Sequence, residues 1–225
     1  ACYYPKSSFI PYVNYNNNRR SGIDFSVNFN KKAGEAEFSL GLNGTYYDTK
    51  VTRKDEINRY EYQNREGKPI DGVWGLECEG FFATDEEAAA ANQNFGGTLK
   101  AGDLKYRDRN NDRVIDSKDQ IYLGKGGWYG SPLTLGLNFT AKWKGFTFFA
   151  LATGGFGAIG MKSNSYWWVY GDGKYSEVVR NRWTPETAST ATYPRLTTLS
   201  GANNFQNSTF WMYKTDRVDI AKLQL

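Results

Sequence analysis

The sequence predicts an all-β fold, in which antiparallel strands form part of a transmembrane β-barrel and long extracellular loops contain short helices. Segments of about ten residues alternate between apolar and polar side chains, as strands with one apolar face do. Short turns join these segments at one end and very long connections join them at the other, which is typical of outer-membrane barrels. Aromatic residues make up 16% of the 225 residues, which also favours strands. A soluble β-sandwich shows the same alternation, so the unequal connections favour the barrel.

The first predicted hairpin has apolar side chains at every second position of both strands. On the outgoing and then the returning strand these are Ile23, Phe25, Val27, Phe29, Phe38, Leu40, Leu42 and Tyr46. We predict a polar turn between the strands at residues 31–34. Asn, Ser and Thr are common at the alternate positions, so each strand should have one apolar and one polar face.

The second predicted hairpin is as regular as the first. Its apolar positions are Leu133, Leu135, Leu137, Phe139, Ala141, Trp143, Phe146, Phe148, Ala150 and Ala152. Lys144–Gly145 forms the predicted turn, and a last strand is predicted near Val218–Leu225. In a barrel the Phe and Leu face contacts lipid and the Asn, Ser and Thr face lines the lumen, while Trp143 and Tyr46 near strand ends suit an interfacial aromatic girdle.

Two long connections separate the predicted strands, at about residues 49–131 and 155–209. We treat residues 1–225 as one portion of a barrel, with both connections extracellular. The connections carry aromatic residues that are candidate contacts with a ligand or partner: Trp128, Tyr129, Trp167, Trp168 and Tyr170. Exposed aromatic rings stack on sugar rings or contact a partner protein. The alternative is that these rings pack the loops against each other.

Each connection contains one predicted helical segment. Thr84 and Glu87 form a capping box ahead of the apolar run Ala88–Ala91, so a short helix is predicted in the first connection. The second connection contains a helical segment at Tyr175–Trp183, which ends before Pro185 because proline cannot continue a helix.

An acidic stretch, residues 108–119, has the spacing of a calcium-binding loop. Oxygen-bearing groups fall at positions 1, 3, 5, 7, 9 and 12 of an EF-hand-type loop: Asp108, Asn110, Asp112, the backbone carbonyl of Val114, Asp116 and Asp119. Ca²⁺ takes about six to eight oxygen ligands in a tolerant geometry. We therefore predict a structural Ca²⁺ site in this loop.

Two positions of the acidic loop depart from the calcium-binding pattern. Position 6 is Arg113, where such loops have Gly in a sharp turn, and position 12 is Asp119, which is shorter than the usual bidentate Glu. Four carboxylates against the three basic side chains of Arg109, Arg113 and Lys118 leave a net charge of −1. The alternative interpretation is a polar surface turn, in which Asp and Asn side chains accept hydrogen bonds from their own backbone.

Charge and composition argue against several classes of function. The net charge is +4 with both signs interspersed, so we expect no nucleic-acid partner. The chain has no His and shows no nucleophile–base set, so we do not expect an enzyme. The two cysteines are Cys2 and Cys78. We expect two separate buried thiols, with a disulfide between them as the alternative.

Four sequence pieces occur in a recognisable order. They are EGKPI at 66–70 with WGLECEGFF at 74–82, GDLKYRD at 102–108 running into the acidic loop, KGF at 144–146 between two strands, and RWTPE at 182–186 with YPRL at 193–196. This ordered set resembles the C-terminal part of SusC/RagA-type TonB-linked outer-membrane proteins of Bacteroidetes. The resemblance covers the chain from about Gly22 to Leu225. Each piece alone is weak, and the order of the set makes it specific.

The resemblance implies a barrel that imports nutrients, glycans or peptides, across the bacterial outer membrane. Such proteins act with a SusD-like surface lipoprotein and are powered by TonB, through a part of the protein absent from this chain. The acidic loop would then be a structural calcium brace outside the membrane. Because closed barrels start at about eight strands, we expect the chain to be a fragment of a larger protein.

A second function class stays open on the sequence alone, namely a soluble, calcium-dependent carbohydrate-binding or adhesion module. The direction of the apolar faces separates the two classes. An outward, lipid-facing orientation favours the transporter, and packing across a closed core favours the module. The residues that decide between them are Phe25, Phe29, Leu135, Leu137 and Phe139.

Overall fold

Long hairpins form one antiparallel sheet, and the connections between them form short strand pairs of their own. The computed structural model describes residues 13–128, 130–169, 171, 173, 175–198 and 202–225. The strands and the α-helix of these residues are β1 Asn17–Ala33, β2 Ala36–Arg53, β3 Gly72–Gly75, β4 Cys78–Phe81, α1 Asp85–Ala90, β5 Leu104–Tyr106, β6 Ile121–Lys125, β7 Leu133–Trp143, β8 Phe146–Phe156, β9 Ile159–Met161, β10 Met212–Lys214 and β11 Arg217–Gln224. Short 3-10 helices lie at Glu61–Gln63, Ser117–Asp119, Glu177–Asn181 and Pro185–Thr187.

The main sheet has five strands in the order β1-β2-β7-β8-β11, and every neighbouring pair is antiparallel. In the connections, β3 pairs with β6, β4 with β5 and β9 with β10. Across the described ranges the fold is therefore mostly antiparallel strand with few helices, which confirms the predicted class. The sheet does not close on itself there, so β1 and β11 are its two edges.

The two tight turns of the sheet differ from each other. Lys144–Gly145 forms the predicted turn between β7 and β8, with φ values of 45° and 84°, as a type I′ turn requires. The predicted turn at residues 31–34 was wrong in its position, because β1 extends to Ala33 and the turn lies at Gly34–Glu35. Lys32 lies opposite Glu37, and its Nζ is 3.1 Å from Glu37 Oε1. This cross-strand ion pair accommodates the polar residues within the strands.

The strand register aligns apolar side chains into rows across one face of the sheet. One row crosses all five strands and contains Val27, Leu42, Leu137, Ala152 and Ile220. The opposite face is polar, and its side chains contact each other across strands. Thr45 Oγ1, for example, donates a hydrogen bond to Asp24 Oδ1 over 2.6 Å. The sheet therefore has the one apolar and one polar face that the alternation predicts.

The apolar face is left open by the described part of the chain. Phe25, Phe29 and Leu137 are 40%, 57% and 42% exposed, and Leu135 and Phe139 are half-buried. The buried core lies instead within the two long connections, where it consists of Leu76, Leu104, Tyr106, Val169, Val179, Tyr193 and Trp211. The residues that separate the two function classes are thus not part of this core.

Helices are short in the described part of the chain. Thr84 caps α1 as predicted, because its Oγ1 accepts the N–H of Glu87 (3.1 Å). The Glu87 carboxylate accepts the N–H of Ala83 (2.8 Å) in return, one residue before the expected partner. The second predicted helix was wrong in its extent, because only Glu177–Asn181 is helical and Ser176 provides no side-chain cap. Among these residues no helix has the length and apolar character needed to cross a membrane.

Candidate functional site

Both long connections leave the sheet at the end opposite its tight turns, and the first of them folds onto the polar face. Thr49 and Val51 lie on the same side of β2 as the polar row, and the connection buries both of them. Thr49 Oγ1 donates to Asp71 Oδ1 (3.1 Å), and the Val51 N–H donates to the carbonyl of Lys68 (2.9 Å). The first connection is therefore held over the polar face of the sheet, at the end opposite the tight turns.

The acidic loop is organised around one buried carboxylate. Asp119 is 1% exposed, and its Oδ1 accepts the N–H groups of Arg109 (2.8 Å) and Asn110 (3.4 Å). Its Oδ2 accepts the N–H of Asp116 (2.8 Å), where the 3-10 helix Ser117–Asp119 begins. Asp119 thus closes the loop at the position where the pattern has its last ligand.

The other loop oxygens accept backbone N–H groups a few residues further along the chain. The pairs are Asp108 Oδ2 with Arg113, Asn110 Oδ1 with Asp112, Asp112 Oδ1 with Val114 and Asp116 Oδ1 with Lys118. The pairs of Asn110, Asp112 and Asp116 join residues two positions apart and are Asx turns, whereas Asp108 reaches five residues further along the chain. Each of the carboxylates keeps further lone pairs. Asp108 Oδ1 is buried without a hydrogen-bond partner. Such an atom costs about 1–3 kcal/mol when nothing binds it.

Arg113 adopts the backbone conformation that the calcium-binding pattern assigns to Gly. Its φ is 65°, and that of nearby Asn111 is 58°. Left-handed backbone costs a non-Gly residue about 1–2 kcal/mol. The hydrogen bond from the Arg113 N–H to Asp108 Oδ2 (2.8 Å) offsets part of that cost. The loop therefore keeps the sharp turn at position 6 despite the change from Gly.

Lys118 supplies positive charge to the acidic loop. Its Nζ lies 3.0 Å from Asp116 Oδ2 and 4.0 Å from Asp112 Oδ2. The hydrogen bond from the Lys118 N–H lowers the pKa of Asp116, and the Asp116 carboxylate raises the pKa of Lys118. Within the described ranges, no three His, Cys, Asp or Glu side chains are arranged to hold a metal ion. In this geometry the ammonium group neutralises carboxylates that the sequence assigns to Ca²⁺.

Tyr62 contacts the acidic loop at its C-terminal end, near Ser117 and Lys118. The sequence did not indicate this contact. Its hydroxyl donates to the carbonyl of Lys118 (2.7 Å), and Gln63 Nε2 donates to the carbonyl of Ser117 (3.4 Å). Burial, with a further contribution from Asp119, raises the pKa of Tyr62 to about 12. The 3-10 helix Glu61–Gln63, in the segment that follows β2, therefore holds the end of the acidic loop through these two hydrogen bonds.

The candidate aromatic residues fall into two environments. Trp128 is 72% exposed in a turn that Asp71 fixes, since Asp71 Oδ2 accepts the N–H of Gly127 (3.0 Å). Trp167 and Trp168 are half-buried and pack against the core of the connections. The Trp168 ring centroid lies 6.5 Å from that of Trp211, for example. Of the three candidate residues that the structure describes, Trp128 is thus the most exposed.

Three of the residues singled out from sequence lie outside the described part of the chain: Cys2, Tyr129 and Tyr170. Cys78 is half-buried with a free thiol, and burial raises the pKa of that thiol. A thiol with a raised pKa is a poor nucleophile, so nothing about Cys78 indicates chemistry.

A buried polar network joins the two connections, and sequence reasoning missed it. Asp103 is 3% exposed, and its Oδ2 accepts a hydrogen bond from Arg195 Nη2 (2.9 Å). Arg195 Nε also lies 2.8 Å from Asp103 Oδ1, although not with hydrogen-bond geometry. Asn204 Nδ2 donates to the same Oδ1 (2.8 Å). The signal was present, because Asp103 and Arg195 belong to two of the four recognisable pieces, GDLKY and YPRL.

Gly102 completes this junction. Its φ is +84°, and a Cβ at this position would overlap the ring of Trp183. Its carbonyl accepts the N–H of Arg195 (2.9 Å), and the Trp183 N–H donates to the carbonyl of Tyr193 (2.8 Å). The recognisable pieces therefore pack against each other as a structural joint, with Trp183 at its corner.

The scan of family models and the search of curated proteins both found no match. Among solved structures, the chain is similar to a chain in the structure of the RagAB peptide transporter, with a TM-score of 0.66 and 17% identity over 96% of this chain and 23% of that one. It is also similar to a chain of the RagAB peptide importer in its closed-closed state, with a TM-score of 0.62 and 16% identity over 93% of this chain and 23% of that one. The chain thus spans about a quarter of the length of those chains. At these identities the likeness shows the fold alone, which this chain shares with about a quarter of each of those chains.

Proposed function

We propose that this chain is the C-terminal part of an outer-membrane barrel that imports nutrients, glycans or peptides, into a bacterial cell. In this proposal the barrel acts with a SusD-like surface lipoprotein, and TonB powers it through another part of the protein. The observation that carries the proposal is the open apolar face of a sheet whose buried core lies elsewhere, in the connections. The proposal assigns no catalytic step to the chain.

The height of the apolar face agrees with a membrane. Tyr46 pairs with Leu133 at one end of β7, and Trp143 lies ten residues further along that strand. Ten residues span about 34 Å along an antiparallel strand. Barrel strands tilt by about 35–45°, which reduces this span to about 24–28 Å along the membrane normal, and outer-membrane barrels have apolar bands about 25 Å tall. The two exposed aromatic residues then lie at the two interfaces.

The sheet edges and the polar face support the same proposal. β1 and β11 have unpaired edges in the described chain, and open edges in lipid are too costly to persist. Further strands of the complete protein would pair with them and close the barrel. The polar face would then line the lumen, with the first connection held over its outer end. The soluble binding module is disfavoured, because such a module needs a cover over its apolar face.

The test is to express the complete protein from its native locus with an affinity tag, fractionate the membranes and identify its partners by mass spectrometry. We expect the protein in the outer membrane together with a surface lipoprotein. A strain that lacks the gene should fail to take up the labelled glycan or peptide on which the parent grows. Recovery of the protein as a soluble monomer would contradict the proposal.

We further propose that the acidic loop binds Ca²⁺ as a structural brace. The ligands would be Asp108, Asn110, Asp112, the carbonyl of Val114, Asp116 and Asp119. Two observations support the fit, namely the buried, unpartnered Asp108 Oδ1 and the positive φ of Arg113. When bound, the ion would add positive charge that holds the carboxylates together. Lys118 competes with the ion, because it already lies beside two of these carboxylates.

Calorimetric titration with Ca²⁺ tests this second proposal on the complete protein after treatment with a chelator. We expect binding in the wild type and tighter binding in Lys118→Met, since this variant removes the competing ammonium group. Asp108→Ala should abolish the heat. Absence of heat in both the wild type and Lys118→Met would leave the loop as a purely hydrogen-bonded turn.

A further inference from the structure

A cavity of about 260 Å³ lies at the end of the first hairpin that is opposite its tight turn, between the hairpin and the first connection, which folds over it. Its lining includes Asn16, Asn18, Arg53, Arg65, Trp74 and Trp128. Val51 also lines the cavity, on the polar side of β2. The cavity therefore opens above the polar face, on the side of the sheet that would line the lumen.

The charge of the cavity is positive and comes from two arginines. Within the described ranges, neither Arg53 nor Arg65 has a carboxylate within 4.0 Å. The third basic residue of the lining, Lys54, is neutralised by Glu56, whose Oε2 lies 3.8 Å from its Nζ. The other oxygen of that carboxylate, Oε1, accepts the backbone N–H of Arg65 (2.7 Å). Two guanidinium groups are thus left for an anion from outside.

Both guanidinium groups are positioned by aromatic rings. The Cζ of Arg53 lies 3.9 Å from the centroid of the Tyr15 ring, and that of Arg65 lies 5.9 Å from a ring of Trp74. Stacking of this kind orders a guanidinium while its in-plane N–H groups remain able to bind a carboxylate through two hydrogen bonds. The closer contact restricts the Arg53 guanidinium before an anion arrives, which lowers the entropic cost of binding there.

The remaining walls suit a sugar ring. Trp128 lines the cavity and is 72% exposed, and aromatic rings cover the apolar C–H surface of a sugar ring. Asn16 is fixed because its Oδ1 accepts the N–H of Asp55 (2.8 Å), which leaves its amide NH₂ as a donor. Asn18 adds a second amide, with a donor and an acceptor for hydroxyl groups. The volume is slightly below that of pockets for drug-sized ligands, about 300–1,000 Å³, and so fits one sugar unit.

We infer that this cavity binds a hexuronic acid unit of an acidic glycan, with its carboxylate on Arg53 and Arg65 and its ring against Trp128. The inference rests on the proposed import function, since it names the substrate class. In the proposed barrel the cavity lies over the polar, lumen-lining face. It would therefore bind one unit of a longer glycan before that glycan enters the lumen.

The probe is trigalacturonic acid, titrated calorimetrically into the complete outer-membrane complex in detergent. Its methyl ester is the matched ligand, with the same rings and no negative charge. The variants are Arg53→Gln with Arg65→Gln as a double change, and Trp128→Ala. Arg59→Gln is the control, because Arg59 is an exposed arginine of the same connection that does not line the cavity.

We expect trigalacturonic acid to bind and its methyl ester to bind at least about tenfold more weakly, since hydrogen bonds from a guanidinium to a carboxylate are about twice as strong as those between neutral groups. The double variant should lose at least as much, and Trp128→Ala should lose affinity for both ligands, whereas Arg59→Gln should bind like the wild type. If the double variant does not fold, the comparison of the acid with its methyl ester in the wild type still tests whether the carboxylate is recognised.

Equal binding of acid and ester, or no binding of the acid, would overturn the inference. Binding of triglutamate that is tighter than that of the sugar and is lost in the double variant would also overturn it, in favour of an acidic peptide. These outcomes are separate from the import proposal. A complex in the outer membrane that ignores uronic acids disproves the site alone, whereas a soluble protein that binds them disproves the import function alone.

Discussion

Replacement of Leu137 by Arg tests whether the apolar face contacts lipid. Leu137 lies in the row that crosses all five strands. It is four residues from the level of Tyr46 and six from that of Trp143. At about 3.4 Å per residue and a tilt of about 40°, these separations place it about 10 Å and about 16 Å from the two interfaces. Leu137 is therefore close to the midplane of a bilayer.

The expected cost of Leu137→Arg follows from this depth. Arg on the lipid face of a barrel costs about 2–4 kcal/mol at the midplane and about 0–1 kcal/mol near the interfaces. Leu137→Arg should therefore lower the free energy of unfolding by about 2–4 kcal/mol, and Trp143→Arg should lose little through its charge. Asn138→Arg is the matched control, because Asn138 neighbours Leu137 and faces the polar side. We expect it to change stability by less than about 1 kcal/mol.

The assay is equilibrium folding of the complete protein from urea into phospholipid vesicles, followed by tryptophan fluorescence. A large protein need not unfold in one step, so the relevant quantity is the shift of the transition that reports the barrel. Equal costs for Leu137→Arg and Asn138→Arg would refute the assignment of the two faces. A cost for Trp143→Arg as large as that for Leu137→Arg would refute the depth dependence, and with it the contact with lipid.

The connections yield three further predictions. Gly102→Ala should destabilise the two connections by about 2 kcal/mol or more, because Gly102 has a positive φ and the ring of Trp183 packs over it. The tryptophan fluorescence of the connections, followed in a urea titration, measures this loss. Asp103→Ala should cost about 3–5 kcal/mol in the same titration, because it leaves Arg195 without its buried partner, and a loss below about 1 kcal/mol would contradict that role. Since the pKa of Asp116 is lowered in the folded state, its contribution is present above the ordinary pKa of the carboxyl and is lost as the pH falls through the lowered value. The protection of the Lys118 amide, which donates to it, against hydrogen exchange, taken relative to the intrinsic rate at each pH, should therefore fall on acidification below about pH 4, and unchanged protection would argue against this bond.

Much of the sheet and part of the loop geometry could be predicted because their causes are local. A period of two residues fixes which side chains share a face. The alternation from Phe25 to Phe29 and from Leu133 to Trp143 predicted strands in both hairpins, although the turn of the first one lies later than predicted. Lys144–Gly145 satisfies a turn that needs positive φ, and Thr84 caps the helix that follows it. Several hydrogen bonds within the acidic loop also join residues two to five positions apart, whereas its contact with Tyr62 does not.

The candidate sites were less predictable, because exposure and pairing depend on distant parts of the chain. Trp128 and Trp168 look alike in sequence, yet Trp128 is exposed in a turn while Trp168 packs against the core. Arg53 and Arg65 acquire a common cavity only because the first connection folds back over the end of β2. Lys118 is close to Asp116 in sequence, but the position of its side chain was needed to show that it lies beside the carboxylates of the proposed Ca²⁺ site.

The sequence by itself determined that this chain forms long antiparallel strands with one apolar and one polar face, since side chains of a strand alternate regardless of what surrounds it. Only the tertiary structure decided that, in the described part of the chain, the apolar face stays open and the core lies in the connections. It also joined Asp103 to Arg195, 92 residues away. The physical reason is that alternation specifies two faces but not their environment, and contacts between distant residues arise only when the complete chain folds.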